Sequence, residues 1–265
     1  MAIAPFLAMT AAEMRCHSAF PEKIAWMACH FSPFGTGLSN LPKELPPGSL
    51  LMVDDMTPPH GQDPVRIAEQ LTGCVEALKC CGVLLDFQRA GCEETQAVAA
   101  RLAADLSCPL AVSAAYAHGL DCPVFLPPLP PSEPLEAYLA SWKERDIWLE
   151  LGLEGEILTL TEAGCEVASL PYPDPEAEGF HDEKLNCHYT IATKEKAARF
   201  TLWRTKEDLE DLLEEAETLG VVSAVGLYQE LQNQSLPPGG RWPERPDEGW
   251  RTPEVPDKSA IFPKP

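Results

Sequence analysis

The feature that most constrains this chain is the regular exchange of short apolar runs with stretches of helical period. Residues 23–30, 50–55, 82–87, 110–116, 123–126, 147–150 and 221–227 are strand-length and mostly apolar. Between them come Val65, Ala68, Leu71, Val75 and Leu78, then Val98, Leu102 and Leu106, and late in the chain Leu209, Leu212, Leu213, Ala216 and Leu219. Each set recurs at the three-to-four spacing of one helix face. Asp63 and Pro64 supply a cap and a first helical residue, and Gly82 closes that helical unit. Thr205 with Asp208 three residues on reads as a capping box, and Gly220 ends the same helix. Strands alternating with helices in this way imply parallel pairing through right-handed crossovers.

Seven or eight such strands are expected to close into a compact or irregular (β/α)8 TIM-like barrel. A doubly wound open sheet is the alternative. It would carry a glycine-rich phosphate turn leading into a helix after its first strand, and no helical pattern follows Phe34-Gly35-Thr36-Gly37. The barrel pattern breaks once: 156–160 and 165–170, joined by Glu162-Ala163-Gly164, read as an inserted β-hairpin. The expected organisation is an N-terminal extension over 1–22, a barrel over 23–232 with the hairpin near 156–170, and a Pro-rich, disordered tail over 233–265.

The formal net charge of −21 argues against nucleic acid, whose phosphates need a basic surface, and equally against anionic membranes. The apolar start, residues 1–9, has no preceding Lys or Arg and reads as neither a signal peptide nor a spanning helix. Ten cysteines without a CxxC pair are then expected as reduced thiols of a cytoplasmic protein.

The candidate site lies in 81–89, an apolar run that stops abruptly in polar residues. With a period of two, Leu84, Asp86 and Gln88 share one face. A carboxylate and an amide on the inner face of a barrel strand, at its C-terminal end, are costly to bury without partners. Both are therefore candidates, with a bond to a neighbouring loop as the plainer role of Asp86 and simple strand-end polarity as that of Gln88. Asp54 and Asp55 end another strand, and only one of them faces the centre; capping the following loop is the other role open to Asp55. Glu150 and Glu230 follow apolar strands and are either site acids or exposed surface. Phe31, Phe34, Tyr116, Trp148, Tyr189 and Tyr228 either line a sugar cleft or pack the core. His30 and His188 lie near strand ends and are candidate metal ligands with Asp55, Asp86 and Glu150. No close ligand spacing supports that reading, and no metal or cofactor is expected.

The stretch Gly82-Val83-Leu84-Leu85-Asp86-Phe87-Gln88 resembles the fourth-strand signature of glycoside hydrolase family 18, the chitinase-like barrels, which reads Asp-Gly-x-Asp-x-Asp-x-Glu. The segment from Phe200-Thr201-Leu202-Trp203 through the helix at 206–219 to Tyr228 resembles the part where those barrels close on an aromatic floor residue, with the spore-associated branch nearest. The resemblance implies a (β/α)8 barrel with its site at the C-terminal face. It matches Asp86 to the aspartate that orients the substrate acetamide and, more weakly, Tyr228 to the floor aromatic. Cys81 and Leu84 stand where the family has acids, and Gln88 stands where it has the proton-donating glutamate. An amide has no proton to give near neutral pH, and losing general-acid help costs on the order of 10² to 10⁴ in rate.

The expectation is thus a degenerate barrel that binds a carbohydrate or similar polar ligand through Asp86, Gln88, Tyr116, Glu150, His188 and Tyr228. The alternatives are an active hydrolase with a relocated acid, for which Asp86, Asp55 and Glu150 are the catalytic candidates, a metal-dependent barrel hydrolase, and an intracellular interaction module.

Overall fold

A computed structural model of the chain describes residues 3–16, 20–35, 37–89, 91–171, 173–174 and 177–232. Among these residues the chain divides into two compact units, one within 3–128, 139–152 and 216–232, the other within 129–138 and 153–215.

The first unit is a barrel. Its strands, numbered in chain order, are β1 (Phe6–Met9), β2 (Ile24–Phe31), β3 (Leu38–Ser39), β4 (Leu50–Asp54), β5 (Gly82–Asp86), β6 (Leu110–Ser113), β7 (Val124–Leu126), β8 (Ile147–Leu151) and, after the other unit's strands, β14 (Val221–Leu227). Eight of them form a parallel ring in the order β1-β2-β4-β5-β6-β7-β8-β14, closed by β14 against β1. The two-residue β3 pairs antiparallel with the end of β2 outside the ring. Helices α2 (Pro64–Leu78) and α3 (Glu93–Asp105) cross between β4, β5 and β6, whereas turns alone join β6 to β7. The Asp63 carboxylate caps α2 by accepting from the Val65 amide, and Lys79 ends it in the left-handed conformation at φ 56°.

Alternation along each strand decides what fills the ring. Ala8, Ala25, Leu50, Met52, Leu84, Ala111, Phe125, Trp148 and Val225 form one buried cluster, with Phe6, Met27 and Leu227 against it. Phe6 and Trp148 stack across the interior with ring centres 6.4 Å apart. The opposite strand faces carry Val83, Leu85 and Phe87, all fully buried under the helices and loops. Gly82 is required for close approach, since a Cβ there would lie 2.9 Å from the carbonyl oxygen of Pro109.

The second unit holds a five-stranded antiparallel sheet in the order β10-β9-β13-β12-β11, built from β9 (Gly155–Thr161), β10 (Gly164–Leu170), β11 (Phe180–Asp182), β12 (Cys187–Lys194) and β13 (Ala197–Trp203). Within this unit the Arg204 guanidinium, 2% exposed, donates to the backbone carbonyls of Leu129, Pro130, Leu185 and Asn186. Helix α5 (Lys206–Thr218) follows and buries Leu209, Leu212, Leu213 and Ala216.

Two expected boundaries change. Residues 1–22, expected as an extension, contain the first ring strand, Phe6–Met9, and a short helix α1 (Ala11–Cys16). Four apolar residues inside an apolar start leave too short a pattern to read as a strand. The hairpin expected at 156–170 is present as β9 and β10, but it belongs to the larger sheet. β12 and β13, the strands expected at 186–191 and 198–203, pair with each other, and β13 pairs with β9, so neither enters the ring. Their turn is built by Glu195 at φ 48°, and only two residues separate them, which suits antiparallel pairing and excludes a crossover helix. The tail over 233–265 lies outside the described residues.

Candidate functional site

At the C-terminal ends of three adjacent ring strands, His30, Asp54 and Asp86 stand in register: His30 is opposite Asp54, and Asp54 is opposite Asp86. Asp54 shares its face with Leu50 and Met52, and Asp86 shares its face with Leu84, so both carboxylates continue the inward stripe of the ring. A shift in the β2 register between Trp26 and Cys29 turns His30 onto this same face and sends Cys29 and Phe31 outward. Glu150 continues the inward face of β8 above Trp148, three strands round the ring from β5.

Asp86 is held in a setting that disfavours its charge. Burial pushes its carboxyl above the ordinary 3.8; the Gln88 amide pulls it back, and the nearby Asp54 and Asp55 charges push it further up. Gln88 is exposed, and its Nε2 donates to Asp86 Oδ1 at 3.2 Å and Oδ2 at 3.3 Å. Asp54 Oδ1 accepts from the Met56 amide at 2.9 Å, which holds that carboxylate at the strand end.

Asp55 takes the capping role. It is 2% exposed and faces away from Asp54 along the strand. Its carboxylate accepts from the Gln88 amide at 2.9 Å and the Arg89 amide at 3.2 Å, so it shapes the loop on which Gln88 sits. Ser113 supports the same loop from β6: its hydroxyl accepts from the Phe87 amide and donates to the Leu85 carbonyl, both at 2.9 Å.

Tyr116 packs outside the ring. It is buried, meets Phe87 edge-on, donates its hydroxyl to the Arg89 carbonyl and accepts from the Cys92 amide. Phe31 packs against Phe87 on that outer face, and Trp148 is part of the ring interior. Of the aromatics weighed from the sequence, Phe34 is the fully solvated one, 99% exposed on the loop after β2.

Tyr228 begins α6 (Tyr228–Gln232) and lines a cleft of about 470 Å³ with Ala4, Pro5, Leu7, Phe20 and Lys23. Leu7 alternates with the inward Phe6 and Ala8, so this cleft lies on the outer side of β1, and Leu227 rather than Tyr228 carries the inward face of β14. Glu230 lies near Gly152 in the same unit. His188 and Tyr189 are in the second unit's sheet, where Tyr189 lies against Phe180.

The ten cysteines are free thiols. Burial pushes Cys80 up to about 11 and raises Cys29 further, so neither offers a thiolate at neutral pH. No helix among the described residues is long and apolar enough to cross a membrane.

Parity along the sequence puts Asp86 and Gln88 on one strand face and leaves the choice between Asp54 and Asp55 open. The strand alone does not decide it, since Leu50 and Met52 on one face and Leu51 and Val53 on the other are all apolar and buried; pairing with β5 sets Asp54 opposite Asp86. The alignment of His30 with Asp54 was hidden by the irregularity in β2.

No family model matches the sequence, and a search of curated proteins returns no match. Among solved structures, the spore cortex-lytic enzyme SleL of Bacillus cereus is similar with a TM-score of 0.54 at 10% identity, over 84% of this chain and 70% of that one. A chitinase from Chromobacterium violaceum is similar at 0.53 and 11% identity, over 84% and 93%. A family 18 chitinase from Cycas revoluta, solved as a mutant in complex with (GlcNAc)4, is similar at 0.52 and 11% identity, over 84% and 94%. In fold, this chain is a (β/α)8 barrel of the kind seen in family 18 chitinases and spore cortex-lytic enzymes.

Proposed function

We propose that the C-terminal face of the barrel binds a glycan, or a polar ligand of similar chemistry, without the acid-catalysed cleavage that chitinase-like barrels perform. The observation that carries this reading is the pairing of Asp86 with Gln88. Asp86 faces inward at the strand end, and the residue two positions on is an amide that donates to it. Such a pair offers a carboxylate and an amide carbonyl to the hydroxyl and acetamide groups of a sugar, and no proton to a leaving oxygen. The solvated Phe34 ring on the loop after β2 adds a surface of the type that stacks on sugar faces. The similarity in fold to a chitinase solved with (GlcNAc)4 makes that oligomer the natural probe.

Calorimetric titration of (GlcNAc)4 into the full chain tests the reading. Saturable binding that Asp86→Ala weakens at least about tenfold supports it. No binding, or binding that Asp86→Ala leaves unchanged, overturns it.

A second reading, an active hydrolase with a relocated acid, is favoured by Glu150 on the inward face of β8. Asp55, the other acid considered for that role, is engaged by the Gln88 and Arg89 amides. Reducing sugar released by the wild type and abolished by Glu150→Gln would select this reading over the first.

A further inference from the structure

Within the second unit, three neighbouring strands bring His181, His188 and Trp203 into one row. His181 is opposite His188 across β11 and β12, and His188 is opposite Trp203 across β12 and β13. The two imidazoles meet edge-on with ring centres 4.9 Å apart, and His188 lies over the Trp203 ring at 5.8 Å. Above this row comes the first turn of α5, whose Asp208 is 4% exposed. His181 Nε2 is 3.0 Å from Asp208 Oδ1, and His188 Nε2 is 3.4 Å from Asp208 Oδ2. The three ligand-type atoms all lie within 4.8 Å of one another.

We propose that His181, His188 and Asp208 bind a divalent transition-metal ion of the zinc class, with the remaining positions open to water. Four-coordinate zinc bonds nitrogen and carboxylate oxygen at about 2.0–2.1 Å, which puts neighbouring ligand atoms roughly 3.3 Å apart. The two imidazole-to-carboxylate distances bracket that value. The 3.4 Å separation of His188 from Asp208 is also too long for a good N–H···O bond, so that nitrogen is aimed at the carboxylate without closing on it. The carboxylate is oriented independently of any ion: Thr205 donates its amide to Oδ2 at 2.7 Å and its hydroxyl at 2.9 Å. One imidazole face is fixed by Trp203, while the two histidine side chains are 36% and 31% exposed, leaving a way in for the ion. Two neutral imidazoles and one carboxylate are a donor set suited to zinc and its neighbours, and they bind with release of protons. The acidic balance of the chain favours a cation over an anion here.

The test uses the full chain, stripped with a chelator and titrated with Co²⁺ as a spectroscopic stand-in for Zn²⁺, alongside His181→Gln and His188→Gln. The proposal expects one ion per chain with weak visible bands and no thiolate-to-cobalt band. It also expects affinity at least about tenfold lower in each folded variant. Absence of binding, unchanged binding in the variants, or a thiolate band from the cysteines would overturn it. Should a variant not fold, imidazole NMR of the wild type decides. The chain has six histidines, and Zn²⁺ must move the ring signals of His181 and His188; signals that stay in place contradict the site.

Discussion

The side-chain amide of Gln88 donates to both carboxylate oxygens of Asp86, at 3.2 and 3.3 Å, at the C-terminal end of a barrel strand. A glutamate at position 88 could not make this contact as an ionised group, because it would face another carboxylate. On the reading proposed above, the pair holds and orients a ligand, and the amide at position 88 supplies no proton to a leaving oxygen.

Asp86 should make stability fall as pH rises. Its folded-state pKa lies above the ordinary 3.8, so the folded protein holds this proton more tightly than the unfolded chain does. The contribution is fully present below 3.8 and is lost as pH climbs through the raised folded value. Asp86→Asn keeps an oxygen for the Gln88 amide and cannot ionise. Urea midpoints from about pH 3.5 to 7 should show the variant gaining on the wild type as pH rises, then a constant difference. Parallel curves would mean that burial does not disfavour the charge.

Asp55→Ala should cost about 2–4 kcal/mol, because the Gln88 and Arg89 amides lose their acceptor in a buried setting. Asp55→Asn, which retains one acceptor oxygen, should cost less than half of that. Denaturant unfolding measures both. Because Asp55 builds the loop carrying Gln88, Asp55→Ala should also weaken ligand binding, although it lies on the outer face.

Arg204→Met should destabilise the second unit by about 3 kcal/mol, since the guanidinium is the shared donor for four backbone carbonyls that stay behind without it. A midpoint change under about 1 kcal/mol would show that those carbonyls find other partners.

The ring strands were legible where apolar runs are long enough to carry a period, as in β4, β5 and β8, and the helices where caps and stripes coincide, as at Asp63-Pro64 and at Thr205 with Asp208. β1 was not, because four residues following Pro5 carry no period of their own and are defined by pairing on both sides with β14 and β2. The extent of the inserted sheet was hidden for a related reason. β12 and β13 have strand patterns, but pattern alone does not say whether a strand joins a parallel ring or a separate antiparallel sheet. At the site, Asp86 and Gln88 follow from parity within one strand. The alignment of His30 with Asp54 depends on a shift in β2, and the closeness of His181, His188 and Asp208 depends on contacts between separate elements.

The most direct test of binding without cleavage is one proton NMR experiment on (GlcNAc)4 mixed with the 265-residue chain. The account predicts saturation transfer to the sugar, reduced by Asp86→Ala, with the oligomer's anomeric signals unchanged over a day. New anomeric signals from shorter oligomers, or no transfer at all, would contradict it.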